Sequence, residues 1–412
     1  MIVKLIHRPE SAFRFYLDDT LDRFEHRIKH GDFPEDDERE EERLELYEML
    51  SDQQRLDVWG LSADLYSLLD EERPPNCDTK PSPDEVATRL QVAYDTANWR
   101  ELVCVLRYQD GMMERSVVDY MRYRAWAELG YPEVAFVFLK NAIRLDPADS
   151  GYKHLALELL KKMKDWDSLA SLAEKYVSDC PEDAGVLLAA GEACHDLAIN
   201  TGNKTHDERA VEYLKRGLEQ AETLEARQSQ SASAVVTLAF ALLNLGQTDE
   251  ATSALDQWLQ EDSRNPELHA ARGIVHLTND YSLAIEDFKQ AVTLRTKSVI
   301  AYLEYANWLL HEGMHDQAIV VASDGLQFAA RASDRSKVRH LMALGYAMSD
   351  RPHQAIYLMR EAKQLNPTDR ELALNMRLMQ PDNTDRNGVS AVYTLPPRQT
   401  RNVNELLRQV AA

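Results

Sequence analysis

"RGIVHLTNDYSLAIEDFKQAVTL", residues 272–294, holds an apolar-periodic run, a short polar turn, and a second run in which Ala284 is followed seven residues later by Ala291. Seven residues make about two helical turns, so the two alanines share a helix face. The pattern returns in "LGYPEVAFVFLKNAIRLDP" (129–147), "LGQTDEATSALDQWLQED" (245–262), "EGMHDQAIVVASDGLQF" (312–328) and "SDRPHQAIYLMREAKQLNP" (349–367). The first small residue is Ala135, Ala251, Ala284, Ala318 or Ala355, and seven positions on stand Ala142, Trp258, Ala291, Gly325 or Ala362. Two weaker copies, Leu169 to Tyr176 and Ala210 to Gly217, keep the frame, so seven units follow at steps of 34, 41, 41, 33, 34 and 37 residues. Upstream of each turn lies another helix-period segment, such as "SVIAYLEYANWLL". Small residues where two helices cross let their backbones approach, so each unit reads as an antiparallel helix pair. One pair cannot bury its apolar face alone, whereas stacked pairs can, and the fold class expected is all-α, an α-solenoid.

This arrangement resembles the tetratricopeptide repeat, above all in the opening stretch and in "MALGYAMSDRPHQAIYLMREAKQLNP". The resemblance covers about residues 116–367 and implies a right-handed superhelix of stacked antiparallel helix pairs. Pro147, Pro181 and Pro367 stand just past a second helix, where a residue without a backbone N–H stops it. The copy at 150–181 is degenerate, and the one at 266–296 ends in Thr296 instead of Pro. An eighth pair, "SPDEVATRLQVAYDTANWRELVCVLR", precedes the array, and "TDRELALNMRLMQ" follows it as a capping helix, with Thr368 and Glu371 read as a capping box.

The repeat frame also decides the meaning of His311-Glu312-Gly313-Met314-His315, which spells the H-E-x-x-H of zinc metalloproteases. A zinc helix needs both histidines on one continuous helix. Gly313 stands five residues before Ala318, as Gly130 stands before Ala135 and Gly246 before Ala251, and Asn279 and Asp350 hold the same slot in two other copies. Gly, Asn and Asp tolerate the left-handed conformation that ends a helix, so His311 and His315 fall on opposite sides of a turn. No phosphate loop, dinucleotide loop or nucleophile elbow occurs, and the expectation is no enzyme, no cofactor and no metal ligand.

Forty-seven Lys and Arg against 69 Asp and Glu give a net charge of −22, which argues against phosphate backbones and anionic membranes as partners. Cys77, Cys104, Cys180 and Cys194 are widely spaced and read as reduced structural thiols. No leader-like or bilayer-spanning stretch is visible, and the reading is cytoplasmic. Three regions follow from composition. Residues 1–80 form an acidic helical region closed by the Pro-rich linker "EERPPNCDTKPSP" (71–83). Within it Leu44, Tyr47, Leu50 (or Met49), Leu61, Leu65, Leu68 and Leu69 recur at helical spacing. Residues 81–380 form the repeat array with its cap. Residues 381–412 form a tail holding Leu395-Pro396-Pro397-Arg398 and a short amphipathic "NVNELLRQV". That tail is too poor in apolar residues to fold alone, which leaves a disordered segment, packing back onto the solenoid, or presentation of the proline pair as a polyproline II ligand.

Tetratricopeptide arrays commonly bind peptides or helices in a concave groove lined by the first helix of each repeat, so the resemblance implies a protein-interaction scaffold. By helical phase the groove residues are Tyr120 and Arg124, His154 and Glu158, Glu192 and His195, Val236 and Phe240, Ala270 and Ile274, Leu303 and Asn307, and His340 and Leu344. The series is apolar from Val236 to Leu303, which suits a peptide with apolar anchors. Asn307, Lys337 and Arg339 are at best fragments of the carboxylate clamp some family members carry. The reading is a non-enzymatic scaffold or adaptor with a protein or peptide partner. One alternative is a regulatory subunit whose acidic N-terminal helices or C-terminal tail occupy its own groove. A metal-dependent hydrolase is the third.

Overall fold

The computed structural model describes residues 9–30, 43, 45–68, 82–109, 111–221, 230–378 and 393–411, and every regular element among them is helical. The chain packs as two compact units, Met1–Asp165 and Trp166–Ala412, and the division falls inside the degenerate copy at 150–181. The first unit holds α1 (Pro9–His30), α2 (Asp52–Leu68), α3 (Pro83–Asp95), α4 (Trp99–Leu106), α5 (Arg115–Glu128), α6 (Pro132–Leu145) and α7 (Ser150–Met163). The second opens with α8 (Trp166–Asp179), α9 (Ala184–Thr201), α10 (Thr205–Ala221), α11 (Gln230–Asn244), α12 (Thr248–Glu261) and α13 (Pro266–His276). It continues through α14 (Tyr281–Thr293), α15 (Val299–His311), α16 (His315–Leu326), α17 (Ala332–Met348), α18 (Pro352–Leu365), α19 (Arg370–Leu378) and α20 (Val403–Ala411).

In the second unit α9 to α18 pack as successive pairs, and α19 lies on α18. The small-residue slots explain the close pairing: Ala210, Ala251, Ala284, Ala291, Ala318, Ala355 and Ala362 are buried to the last few square ångströms. A Cβ added at Gly325 would lie 2.6 Å from Tyr302 Cβ, so only glycine admits that crossing, whereas one at Gly217 would lie 2.7 Å from Leu188 Cδ2 and push that leucine aside. Two copies carry a large side chain at the second slot, Tyr176, which is buried, and Trp258, which is half-buried.

Gly313 has φ +74°, Gly246 +83°, Gly130 +89° and Asp350 +56°, the left-handed turn expected of that slot. Lys164 at +58° and Ala97 at +53° fill the same slot, five residues before Leu169 and Leu102, in the degenerate copy and in the eighth pair. Asn279 departs from the expectation. There the helix end is tightened by the amides of Asn279 and Asp280, which both donate to the His276 carbonyl, and Asp280 caps α14 by accepting from the amides of Ser282 and Leu283. The cap of α19 is likewise one residue later than the proposed box: Asp369, not Thr368, accepts from the Leu372 amide (3.1 Å).

In the first unit α2 docks through a buried carboxylate. Asp64 accepts from Arg122 Nε (3.2 Å) and Trp126 Nε1 (2.9 Å), both on α5, and Arg122 also reaches Asp119 (3.0 Å). Burial pushes the Asp64 carboxyl up, against the pull of Arg122. Leu61 and Leu65 are buried beside it, as are Leu46 and Leu50, whereas Tyr47 is only half-buried: the inward-facing residue upstream of α2 is Leu46. Leu44, Leu69, the side chain of Leu68 and most of the 71–83 linker lie outside the described residues.

Candidate functional site: the inner helix face and the C-terminal segment

The first helices of successive pairs in the second unit touch one another, α9 to α11, α11 to α13, α13 to α15 and α15 to α17, which makes them the inner side of its curve. Residues 393–411 lie along that face, running against the order of the repeats. At the start, Asn375 on α19 grips the Thr394 backbone at both ends, its Oδ1 accepting from the Thr394 amide (2.9 Å) and its Nδ2 donating to the Thr394 carbonyl (2.8 Å). The Pro396 carbonyl then accepts from Asn307 Nδ2 (3.2 Å) and His311 Nε2 (2.9 Å), both on α15. Arg398 donates to the Trp308 carbonyl (2.9 Å) and to Glu312 (2.8 Å). The Arg401 amide donates to the Leu277 carbonyl (2.8 Å), while its side chain reaches Glu304 (2.9 Å).

From Asn402 the segment turns helical. Asn402 Oδ1 accepts from the Asn404 and Glu405 amides, an N-cap for α20. Leu406 and Leu407 enter the core formed by α9 to α15, and α20 rests on α9 and α11. At the other end Arg331 Nη2 donates to the Gln409 carbonyl (2.6 Å), placing a cation where the helix dipole is negative. The extended part is thus held mostly through its backbone and the helical part through its leucines.

Titratable groups beside the segment are displaced from their ordinary behaviour, among them Tyr281, whose hydroxyl is pushed up to about 12 by burial. Burial pushes the Glu304 carboxyl up, and Arg401 pulls it back. Burial pulls His340 down to about 4, against a smaller opposing effect of Asp369, so the imidazole is neutral at pH 7. Because Asn375 Oδ1 is taken by Thr394, its Nδ2 faces His340 Nε2 (3.0 Å), which must then be the acceptor nitrogen.

Of the residues expected on the groove, Val236, Phe240, Ala270 and Ile274 line a cavity of about 350 Å³ beside Gln409 and Val410. Leu303, Asn307 and His340 line another, about 330 Å³, beneath Pro396 to Gln409. Glu192 accepts from Ser233 Oγ (3.2 Å) on α11. Two are placed elsewhere: His195 is buried and donates from Nδ1 to Asp207 (2.7 Å) on α10, and Leu344 is wholly buried in the core between α15 and α17. Both lie on the inner helices but point between them, as correct phase along a helix does not fix which side of the face a residue takes. Tyr120, Arg124, His154 and Glu158 belong to the first unit, where Tyr120 packs on Tyr152 and Arg124 lies over the Trp99 ring. Of the clamp fragments, Arg339 turns to Glu361 on α18, while Lys337 borders the lower cavity.

Sequence reasoning missed Glu304, Trp308, Arg331 and Asn375. Asn375 carried the clearest signal, an amide buried on the apolar side of a helix that also holds Leu372. The H-E-x-x-H string resolves into two helices: His311 ends α15, His315 begins α16, and His311 spends Nε2 on the tail. Among the described residues there is no group of three or more His, Cys, Asp and Glu arranged to hold a metal, and no helix is long and apolar enough to cross a membrane. Burial pushes the Cys194 thiol up to about 12, which leaves it protonated and unreactive at pH 7.

No protein-family model matches this chain, and no curated protein does. Among solved structures it is similar to a tetratricopeptide repeat protein from Parabacteroides merdae, with 12% identity over 64% of this chain and 98% of that one, TM-score 0.42. It is also similar to a thermophilic repeat protein of the same kind from Thermus thermophilus, with 18% identity over 47% of this chain and 99% of that one, TM-score 0.38. A third is MamA from Desulfovibrio magneticus, with 22% identity over 36% of this chain and 82% of that one, TM-score 0.30. On its own helix pairs, turn geometry and near-34-residue step, the chain is a tetratricopeptide-like array in fold.

Proposed function

We propose that the chain is a non-enzymatic protein-interaction scaffold whose inner helix face binds a peptide or helix of a partner, and that its own C-terminal segment holds this face until displaced. The observation that supports the reading is residues 393–411 themselves, an extended stretch and a short helix bound by backbone clamps, a part-buried ion pair and a pair of leucines. This is how a groove binds a foreign segment: main-chain hydrogen bonds fix an extended strand, and apolar anchors fix an amphipathic helix. The segment also has the charge the face calls for, with three arginines and one glutamate in a chain of net charge −22. Nucleic acid is disfavoured as a partner for the same reason of charge.

The test uses the full-length chain carrying Leu406→Glu and Leu407→Glu, which removes the anchors of α20 without touching the face. A labelled synthetic peptide of residues 393–411 should bind this opened chain at least about tenfold more tightly than the unaltered one, because the resident segment no longer competes. Equal binding to both chains would mean that the segment does not guard the face, and no binding to either that the face takes no such ligand.

A further inference from the structure

The C-terminal segment leaves two parts of its binding face unmet. Arg401 pairs with Glu304 Oε1 alone. Among the described residues the other oxygen, Oε2, has no hydrogen-bond partner although Glu304 is more than nine-tenths buried, and Asn307 beside it is buried as deeply with its side chain against the Tyr281 hydroxyl. Both line the 330 Å³ cavity together with Pro396, Pro397 and Arg401. A buried carboxylate oxygen without a donor is costly, and a guanidinium set square to Glu304 would satisfy both oxygens at once. The second part is the 350 Å³ cavity, walled by Val236, Phe240, Ala270, Ile274 and Phe328, into whose margin only Gln409 and Val410 of the segment reach. Val410 remains 37% exposed there. This cavity continues the surface that α20 already occupies, so a ligand arriving along the same path meets it next.

We propose that the external ligand is a segment of a partner protein that enters as an extended, arginine-bearing stretch and continues as an amphipathic helix with a large aromatic side chain at the place of Val410. The proposal rests on the scaffold reading above. It makes the resident segment a deliberately incomplete version of the ligand: same path, same backbone clamps, a one-point arginine and a side chain too small for its pocket. A partner that completes both contacts outcompetes the segment without needing a different site.

Synthetic peptides of residues 393–411 test this on the full-length Leu406→Glu, Leu407→Glu chain by fluorescence anisotropy. A peptide with Val410→Trp should bind about tenfold more tightly than the unaltered peptide. A peptide with Arg401→Gln should bind about tenfold more weakly. Adding Val236→Glu to the chain, at a half-exposed wall position, should erase the gain from tryptophan, so that the two peptides bind that chain equally; a gain that survives it overturns the pocket assignment. If the unaltered peptide binds and tryptophan brings no gain, the aromatic-ligand proposal is overturned and the scaffold reading stands. Arg401→Gln binding as well as the unaltered peptide overturns the arginine half. Failure of the unaltered peptide to bind overturns the scaffold reading and this proposal together. If the unaltered chain forms a complex with the opened one that the unaltered peptide competes away better than the tryptophan peptide, the occupant is the tail of a second copy and the proposal is overturned.

Discussion

At the scale of single residues, the array depends on positions where nothing larger than hydrogen fits. A Cβ at Gly325 would meet Tyr302 Cβ at 2.6 Å, a backbone-proximal atom that cannot swing away. Gly325→Ala is expected to cost about 1–3 kcal/mol, read as a lower midpoint in urea unfolding, because the helices must part to admit it. His340 makes a second residue-scale prediction. Its folded value of about 4 lies below its ordinary 6.5, so any state that frees the ring takes up the proton first. Acidification from pH 6.5 toward 4 therefore disfavours the packed state and favours its release. The proton would also land on Nε2, turning the acceptor that faces Asn375 into a donor, and Asn375 is the clamp on Thr394. Hydrogen exchange across residues 393–411 should lose protection between pH 6.5 and 4 beyond the intrinsic change. His340→Gln, which cannot titrate, should flatten that response; an unchanged pH dependence in this variant would exclude His340 as the sensor.

At the scale of elements, neighbouring repeats are tied by buried charge as well as by packing. Asp287 on α14 accepts from Arg272 (2.6 Å) and His276 (2.9 Å) on α13, and Arg272 also reaches Asp256 (2.6 Å) on α12. Burial alone would raise the Asp287 carboxyl, but the hydrogen bonds from His276 and Arg272 together hold it below the usual carboxylate range. Its contribution is present above the unfolded value and is lost as pH falls through the folded one. Asp287→Ala should cost about 1–3 kcal/mol by taking away the acceptor that Arg272 and His276 share, although Arg272 keeps Asp256, and thermal unfolding at pH 7 should show it. Helix pairs were legible in the sequence because Ala284 and Ala291, like Ala355 and Ala362, repeat one packing rule. The ends of helices were less so: Asn279 has the right chemistry for a left-handed turn, yet Asp280 beside it offers the helix a side-chain cap, and the cap won. A rule that reads one residue at a time cannot weigh such neighbours.

At the scale of the whole molecule, the fold could be read because repetition multiplies a weak local signal. The candidate site could be traced only in part, because it joins two stretches far apart in sequence. Val236, Phe240, Ala270, Ile274, Leu303 and Asn307 follow from helical phase. Glu304, Arg331 and Asn375 matter through what lies on them, and nothing in their own helices says that Arg401, Gln409 and Thr394 will be there. The same limit applies to His195, whose partner Asp207 lies across the pair and turns the ring away from the face.

The holding points of the C-terminal segment are strung out one after another, from Asn375 through Asn307, His311 and Glu304 to Arg331, instead of gathered at one spot. A string of modest attachments is removed stepwise, and a competitor that lodges at the Val410 end can claim each point as it opens. Exchange would then speed up with competitor concentration instead of levelling off at the rate of spontaneous opening. The chain would respond quickly to a partner while remaining closed in its absence.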